Sequence, residues 1–255
     1  MQNKIWGNSY RDWADIQEEK SKDGYHFVLD SLSLKDCVRL LDVGCGTGVF
    51  SKLASDMGAI VTGIDASTVF IEEAGIRLPT ASFLFGDMED LPFEDGSFDI
   101  VCGFNSFQYA ASIENALIEA KRVLGRNGKL VIMVWGKKED CECTALLKAV
   151  GALLPPVPTG HYGPFALSEN QLLEQTLSKI GFHKIKTTDI SSTWDYADTE
   201  TALKGLMSLG AVSKAIENVG IEKVKDTIWN VIQPHLQDNG HVIFYNKYRI
   251  VMAEK

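Results

Sequence analysis

The chain has 255 residues and a mass of 28.1 kDa, enough for one substantial core with an appended lid or cap. Its formal charge of −9 and pI near 5.1 argue against a broad basic surface for phosphate backbones, so we expect no nucleic-acid partner. No apolar run reaches the roughly 18 residues of a membrane span, so we expect no membrane partner. Five cysteines in a chain of this size are typical of reduced thiols, so we expect a cytoplasmic protein.

The amino-terminal segment from Ser9 to Leu34 mixes aromatic and aliphatic side chains with charged ones. This mixture predicts one or two amphipathic helices. We expect residues 1–35 to form a helical leader that packs over the sheet as a lid.

Strand-like and helix-like segments alternate between residues 36 and 136, which predicts a parallel sheet built from βαβ units. The predicted strands lie near 38–42, 60–64, 82–85, 98–103 and 129–135. The predicted helices are 47–57, 67–76 and 112–124, with Ser67 and Ser112 as amino-terminal caps and with Gly58, Gly75 and Gly125 at the helix ends.

The first predicted strand runs into Gly44-Cys45-Gly46-Thr47-Gly48, a turn with three alternating glycines ahead of a helix. Glycine has no Cβ, so it tolerates positive φ and lets a ligand lie against the backbone. Acidic residues mark the strand ends, because Asp42 precedes the glycines, Asp65 ends the second strand and Asp87 follows the third. Open α/β sheets bind ligands at the carboxyl ends of their strands, so we expect a ligand site at this edge.

The second half of the chain, residues 137–255, departs from a bare α/β core. The long helical piece before the last strand exceeds a hairpin turn, so we assign it as a cap over the substrate side. The predicted elements are a helix over 141–154, a proline-rich loop over 154–164, a helix from a Ser168–Gln171 capping box to Ile180, a strand to Ile190, helices over 199–236 with breaks near Gly210 and Gly220, and a strand over 242–252.

These segments resemble the class I S-adenosylmethionine (SAM) dependent methyltransferases, in particular the small-molecule group (type 11) that includes the quinone-biosynthesis enzymes. The resemblance covers Arg39 to Trp135. It is carried by the glycine motif Leu40–Gly48, the ribose motif Val61–Ser67, the adenine motif Phe85–Phe93, the fourth strand Phe98–Val101 and the turn Val123–Leu130.

The resemblance implies a single α/β domain with a Rossmann-like seven-stranded sheet flanked by helices. Strands one to five would be parallel together with strand six, and strand seven would be antiparallel between five and six. Within this domain, residues 1–35 would be the helical lid, 36–136 the SAM-binding core, and 137–255 the substrate side with a helical cap between strands six and seven.

The resemblance also implies SAM as the cofactor. Asp42 would help to hold the ammonium group, Asp65 would accept both ribose hydroxyls, and Asp87 would accept the adenine amine. The Asn105 backbone carbonyl would meet the ammonium group as well. The expected cofactor-binding residues are Asp42, Gly44, Cys45, Gly46, Gly48, Asp65, Ala66, Asp87, Met88 and Asn105 in the core, with Tyr10 and Trp13 in the lid.

Methyl transfer needs in-line approach of the acceptor, and a base is needed only where the acceptor carries a proton of high pKa. His161 and Tyr162, in the loop before the sixth strand, are the candidate catalytic residues, whereas the plainer interpretation is a solvated loop. We expect a small-molecule methyl acceptor at oxygen, nitrogen or carbon, and a monomer or homodimer. The run Cys141-Glu142-Cys143 has no second pair at ligand spacing, so we expect no metal site.

Two other functions fit part of the pattern. An NAD-dependent dehydrogenase shares the strand-end acids, but its G-x-G-x-x-G motif requires glycine at position 49, where this chain has Val49. A non-catalytic SAM-binding or sensing protein would keep the same cofactor pocket. The sequence leaves that alternative open, because methyl transfer has no obligatory catalytic residue.

Overall fold

The computed structural model describes residues 10–32, 34, 36–155 and 163–255. The chain divides into two compact units. A sheet unit comprises Gly24–Lys137, Tyr162–Ile190 and Tyr248–Lys255, and a helical unit comprises Met1–Asp23, Lys138–His161 and Ser191–Lys247. The single domain predicted from the sequence stays a prediction.

One seven-stranded sheet organises the fold, with the strand order β3-β2-β1-β4-β5-β7-β6. The pairs β1–β2, β2–β3, β1–β4 and β4–β5 are parallel, whereas β5 and β7 are antiparallel. The predicted Rossmann-like sheet, with strand seven antiparallel between five and six, is therefore confirmed. The strands are β1 (Arg39–Val43), β2 (Ile60–Asp65), β3 (Ser82–Phe85), β4 (Phe98–Phe104), β5 (Leu124–Trp135), β6 (His183–Tyr196) and β7 (Val242–Glu254).

Helices of the sheet unit cover the sheet with their apolar faces. The helix between β4 and β5 has buried residues three or four positions apart, a spacing that places them on one face of the helix. They are Ile113, Ala116, Leu117, Ala120 and Val123. These side chains belong to one hydrophobic core together with buried residues of β1, β4 and β5. The helix therefore packs against the central strands of the sheet. The helices are α1 (Lys22–Leu32), α2 (Val49–Asp56), α3 (Thr68–Arg77), α4 (Ile113–Val123) and α6 (Leu172–Ile180), with α5 (Thr144–Gly151) belonging to the helical unit.

The predicted helix caps are partly correct. Ser67 Oγ accepts from Phe70 N and Ser112 Oγ accepts from Asn115 N, as expected for amino-terminal caps. Gly58 follows α2 with φ of 91°, as predicted for a helix end.

Two expectations about local structure are wrong, whereas Gly125 does lie where α4 ends, two residues after Val123. Gly75 lies inside α3, which continues to Arg77. The Ser168–Gln171 capping box does not form, because Ser168 Oγ donates to the Trp135 carbonyl instead. A tertiary hydrogen bond has replaced the local one.

The helical unit contains the leader residues from Tyr10 to Asp23 and most of the long segment before β7. Tyr196 is almost fully buried there, and its hydroxyl donates to Gln17 Oε1 at 2.8 Å. The predicted breaks near Gly210 and Gly220 are confirmed by α7 (Thr199–Met207), α8 (Gly210–Val219) and α9 (Ile221–Ile232).

Among the described residues, no helix has both the length and the apolar composition needed to cross a membrane. The five cysteines all lie in the described part of the chain, and no disulfide joins any two of them.

Candidate functional site

The carboxyl edge of the sheet gathers the acidic residues that the sequence singles out. Asp42 lies in β1, Asp65 is the last residue of β2, and Asp87 follows β3 by two residues. Parallel pairing aligns these strands, with Asp42 opposite Gly63 and Asp65 opposite Phe85. The three acids therefore stand along one edge in the order of their strands.

The glycine turn leaves β1 through three residues with positive φ, which are 71° at Gly44, 53° at Gly46 and 79° at Gly48. Packing within the protein explains two of these glycines. A Cβ on Gly44 would lie 2.4 Å from the Ser106 Cβ, and a Cβ on Gly48 would lie 3.1 Å from the Ala74 Cβ. Gly44 thus lets β4's following loop approach, and Gly48 lets α2 pack against α3.

Asp65 holds the glycine turn through its carboxylate. Its Oδ2 accepts from Gly46 N at 3.0 Å, its Oδ1 accepts from Ser67 N at 2.9 Å, and Ala66 N also donates to it. Burial raises the pKa of Asp65 to about 6, although these backbone donors favour the charged form. The side chain that the sequence assigns to a ribose therefore also fixes the turn beside it.

Asp42 is buried inside the same edge, with 1% of its surface exposed. Its Oδ2 accepts from the Ser51 hydroxyl at 2.7 Å. Burial raises the pKa of Asp42 to about 7, and the charge of Asp65 adds to the increase. Two carboxylates that share a buried region favour a cationic ligand, because a positive charge lowers the cost of ionising both.

Arg77, the last residue of α3, is hydrogen-bonded to the glycine turn. Its Nη1 donates to the Thr47 carbonyl at 2.9 Å and to the Thr47 hydroxyl at 2.5 Å. Thr47 is fully buried. The turn is therefore held at two successive residues, Gly46 and Thr47, before any ligand arrives.

The loop after β3 carries the exposed Asp87 and the partly buried Met88. Asp87 Oδ1 accepts from Glu89 N at 3.0 Å, and Met88 packs against the sheet core. Glu89 Oε1 in turn accepts from Ala111 N at 2.6 Å and from Ser112 N at 3.0 Å. This loop is therefore tied to the start of α4.

The loop after β4 faces the same edge. Asn105 has φ of 50°, and its N–H donates to the Met133 carbonyl at 2.7 Å. Ser106 is buried, and its hydroxyl donates to the Val43 carbonyl at 2.7 Å. These bonds fix the loop to both neighbouring strands, β1 and β5.

The sheet unit contains ten of the predicted cofactor-binding residues, in β1 and the turn after it, at the end of β2, and in the loops after β2, β3 and β4. Cys45, within the glycine turn, is buried, and its N–H donates to the Ile64 carbonyl at 3.1 Å. Trp13 lies in a helical segment of the helical unit, Trp13–Gln17, and the backbone of Tyr10 lies in the preceding turn. The candidate catalytic residues His161 and Tyr162 lie outside the described residues.

Sequence reasoning missed Ser51, Arg77 and Ser106, which support the site from behind. Ser51 is nine residues after Asp42 and lies on the buried face of α2, so helical periodicity offered a partial signal. Arg77 and Ser106 act over 30 and 63 residues of sequence, and no local pattern predicts such pairs.

The arrangement fits SAM in its charge and its backbone. Asp42 is buried and Asp65 is partly buried, both have a raised pKa that a positive charge would lower, and a preformed turn of positive-φ residues separates them in the chain. Asp42 and the loop after β4 would hold the methionine part, Asp65 would hold the ribose, and the Asp87 loop would hold the adenine. Bound SAM supplies an electrophilic methyl group on a sulfonium.

Comparison with known proteins agrees with this chemistry. A family described as "Methyltransferase domain" matches residues 41–132. The malonyl-acyl-carrier protein O-methyltransferase of Erwinia pyrifoliae is 27% identical over 203 residues, which are 80% of this chain and 72% of that protein. The O-methyltransferase rstn1 of Aspergillus nomiae is 33% identical over 164 residues, which are 61% of this chain and 68% of that protein.

A solved structure supports the fold alone. The YcgJ protein of Bacillus subtilis aligns with a TM-score of 0.63 at 21% identity, covering 92% of this chain and 98% of that one. The glycine turn, the strand-end acids and the relatives agree on one family and one cofactor. This chain belongs to the SAM-dependent methyltransferases.

Proposed function

We propose that this enzyme transfers the methyl group of SAM to an oxygen atom of a small molecule. The observation that carries the cofactor half of this proposal is the pair of buried acids, Asp42 and Asp65, at the glycine turn. The choice of oxygen is supported by two of the similar proteins, those of Erwinia pyrifoliae and Aspergillus nomiae, which are both named O-methyltransferases. Nitrogen and carbon acceptors are the competing outcomes of the test.

We propose the following division of labour at the site. Asp42 and the Asn105 carbonyl accept hydrogen bonds from the ammonium group of SAM. Asp65 accepts hydrogen bonds from the ribose hydroxyls, and the Asp87–Met88 loop binds the adenine. The further cofactor contacts are Gly44, Cys45, Gly46, Gly48 and Ala66 in the sheet unit, with Tyr10 and Trp13 contributing aromatic rings suited to a sulfonium cation.

Positioning supplies most of the rate in this proposal. Holding the acceptor oxygen and the methyl carbon about 3–3.5 Å apart can remove about 7–11 kcal/mol of the barrier. A carboxylate acceptor is already deprotonated at neutral pH and needs no base. A phenol or alcohol would need one, and His161 and Tyr162 are the residues we propose for that role.

The test is a product assay with SAM and three acceptor panels, made of carboxylic acids, phenols or alcohols, and amines. Formation of S-adenosylhomocysteine (SAH) with an oxygen-methylated product supports the proposal, and methylation confined to amines or carbon centres refutes the oxygen assignment. A His161→Ala variant should bind SAM normally and turn over a phenol poorly, while a carboxylic acid should react as in the wild type. The cytoplasmic location and the monomeric or homodimeric state are further proposals, open to fractionation and light scattering.

A further inference from the structure

Gln108 carries an unsatisfied polar atom at the carboxyl edge of the sheet. It lies in the single helical turn Phe107–Tyr109 that follows the Asn105 loop. Its Nε2 donates to Asn105 Oδ1 at 3.4 Å, a long hydrogen bond. Its Oε1 is buried and has no hydrogen-bond partner among the described residues.

The surroundings prevent Gln108 from relaxing toward solvent by backbone movement. Phe107, directly before it, is 1% exposed, and Ser106 is anchored to the Val43 carbonyl. Tyr109 N donates to the Ser106 carbonyl at 2.9 Å and closes the turn. A buried carbonyl oxygen without a donor is unfavourable, and a hydrogen-bond donor on a ligand would remove that penalty.

The strand order identifies the donor. Asp87 follows β3 and Asp65 ends β2, on the side where adenine and ribose are proposed to bind, whereas Gln108 follows β4, on the other side of β1. The part of SAM assigned to that side is the methionine moiety, whose one hydrogen-bond donor is its α-ammonium group. An ammonium with three N–H donors can serve Asp42, the Asn105 carbonyl and one further acceptor.

We propose that Gln108 Oε1 accepts a hydrogen bond from the α-ammonium group of SAM, an inference that rests on the proposed cofactor site. The side chain would then be a cofactor-binding residue that no motif of the glycine turn predicts. With Nε2 donating to Asn105 Oδ1, the other branch of the amide, Oε1, is the atom left to accept from a ligand.

The test is titration calorimetry with SAH and with 5′-methylthioadenosine, which lacks the amino-acid part. We expect Gln108→Leu to weaken SAH binding roughly tenfold to a hundredfold, the range for a lost hydrogen bond to a charged group. Binding of 5′-methylthioadenosine should stay within about twofold of wild type, because that ligand has no ammonium group. Gln108→Glu should hold SAH at least as tightly as wild type, since a carboxylate also accepts from the cation.

Gln175→Leu, at an exposed glutamine of α6, is the matched control, and circular dichroism checks that each variant is folded. The inference is wrong if Gln108→Leu weakens both ligands equally, if SAH affinity is unchanged, or if Gln108→Glu loses SAH as severely as Gln108→Leu does. Wild-type protein that binds neither ligand would instead overturn the proposed cofactor site itself.

Discussion

Replacing Asp65 by asparagine separates its two roles, which are holding the turn and binding the ribose. In the wild type its two oxygens accept from Gly46 N and Ser67 N. Asparagine offers one oxygen and an NH₂ group that cannot accept, so one of these bonds is lost. Removing a partly buried charge with a raised pKa offsets that loss, so we expect the free energy of unfolding at pH 7 to change little.

Cofactor affinity should fall much more than stability. Losing charge-assisted bonds to the ribose costs about 1.5–3 kcal/mol, which corresponds to a dissociation constant for SAH roughly 10- to 150-fold higher. Titration calorimetry with SAH measures this change directly. Asp56→Asn, at an exposed acid that pairs with Lys52, is the matched control and should bind as wild type.

The pH dependence gives a second readout of the same residue. The pKa of Asp65 is about 6 in the free protein, and the ribose favours the carboxylate, so binding must release a proton at low pH. From pH 8 to pH 5 this alone weakens wild-type SAH binding by about tenfold. In Asp65→Asn, the part of the pH dependence of SAH affinity that arises from the titration of Asp65 should be lost. Equal affinity for wild type and variant at pH 8, or equal slopes, would refute the assignment of Asp65 to the ribose.

Further predictions concern residues around the turn. Burial raises the pKa of Asp42 to about 7, so the contribution of this residue to the free energy of unfolding falls as pH rises from about 4 through 7. Asp42→Asn should therefore raise the free energy of unfolding at pH 8, by on the order of 4 kcal/mol at most, as measured by denaturant titration. Arg77→Leu should weaken SAH roughly three- to thirtyfold, with partial recovery in Arg77→Lys, by calorimetry. Gly44→Ala should cost about 1–3 kcal/mol of unfolding free energy, partly restored when Ser106→Gly removes the clashing Cβ; unchanged stability would contradict the packing argument. Gly46→Val should abolish SAH binding with an intact circular dichroism spectrum, and normal binding would reject the glycine motif.

Features that depend on local periodicity could be predicted from the sequence. The strand-end acids and the caps Ser67 and Ser112 follow from patterns within a few residues, and they are where we expected them. Gly75 does not end its helix, because a glycine can end a helix but need not, and tertiary packing decides which occurs.

Features that depend on distant partners could not be predicted. Ser168 would cap a helix if it were isolated, but the end of β5 competes for its hydroxyl. Gln108 is unremarkable in sequence, and only the burial of Oε1 without a partner singles it out. The sequence predicts a ribose-binding role for Asp65, whereas the hydrogen bond from Gly46 N to its carboxylate depends on the fold. Side chains that position site residues through contacts distant in sequence cannot be recognised from a local sequence pattern.

The central claim is that this chain moves a methyl group from SAM to a small molecule. The most direct measurement uses SAM labelled with tritium in the methyl group, with SAH and labelled product counted together. We expect one SAH for each labelled methyl group found on an oxygen acceptor, and no transfer by Gly46→Val. Wild-type protein that binds SAM but releases no label to any carboxylate, hydroxyl, amine or carbon acceptor would contradict it and would favour a SAM-binding protein without turnover.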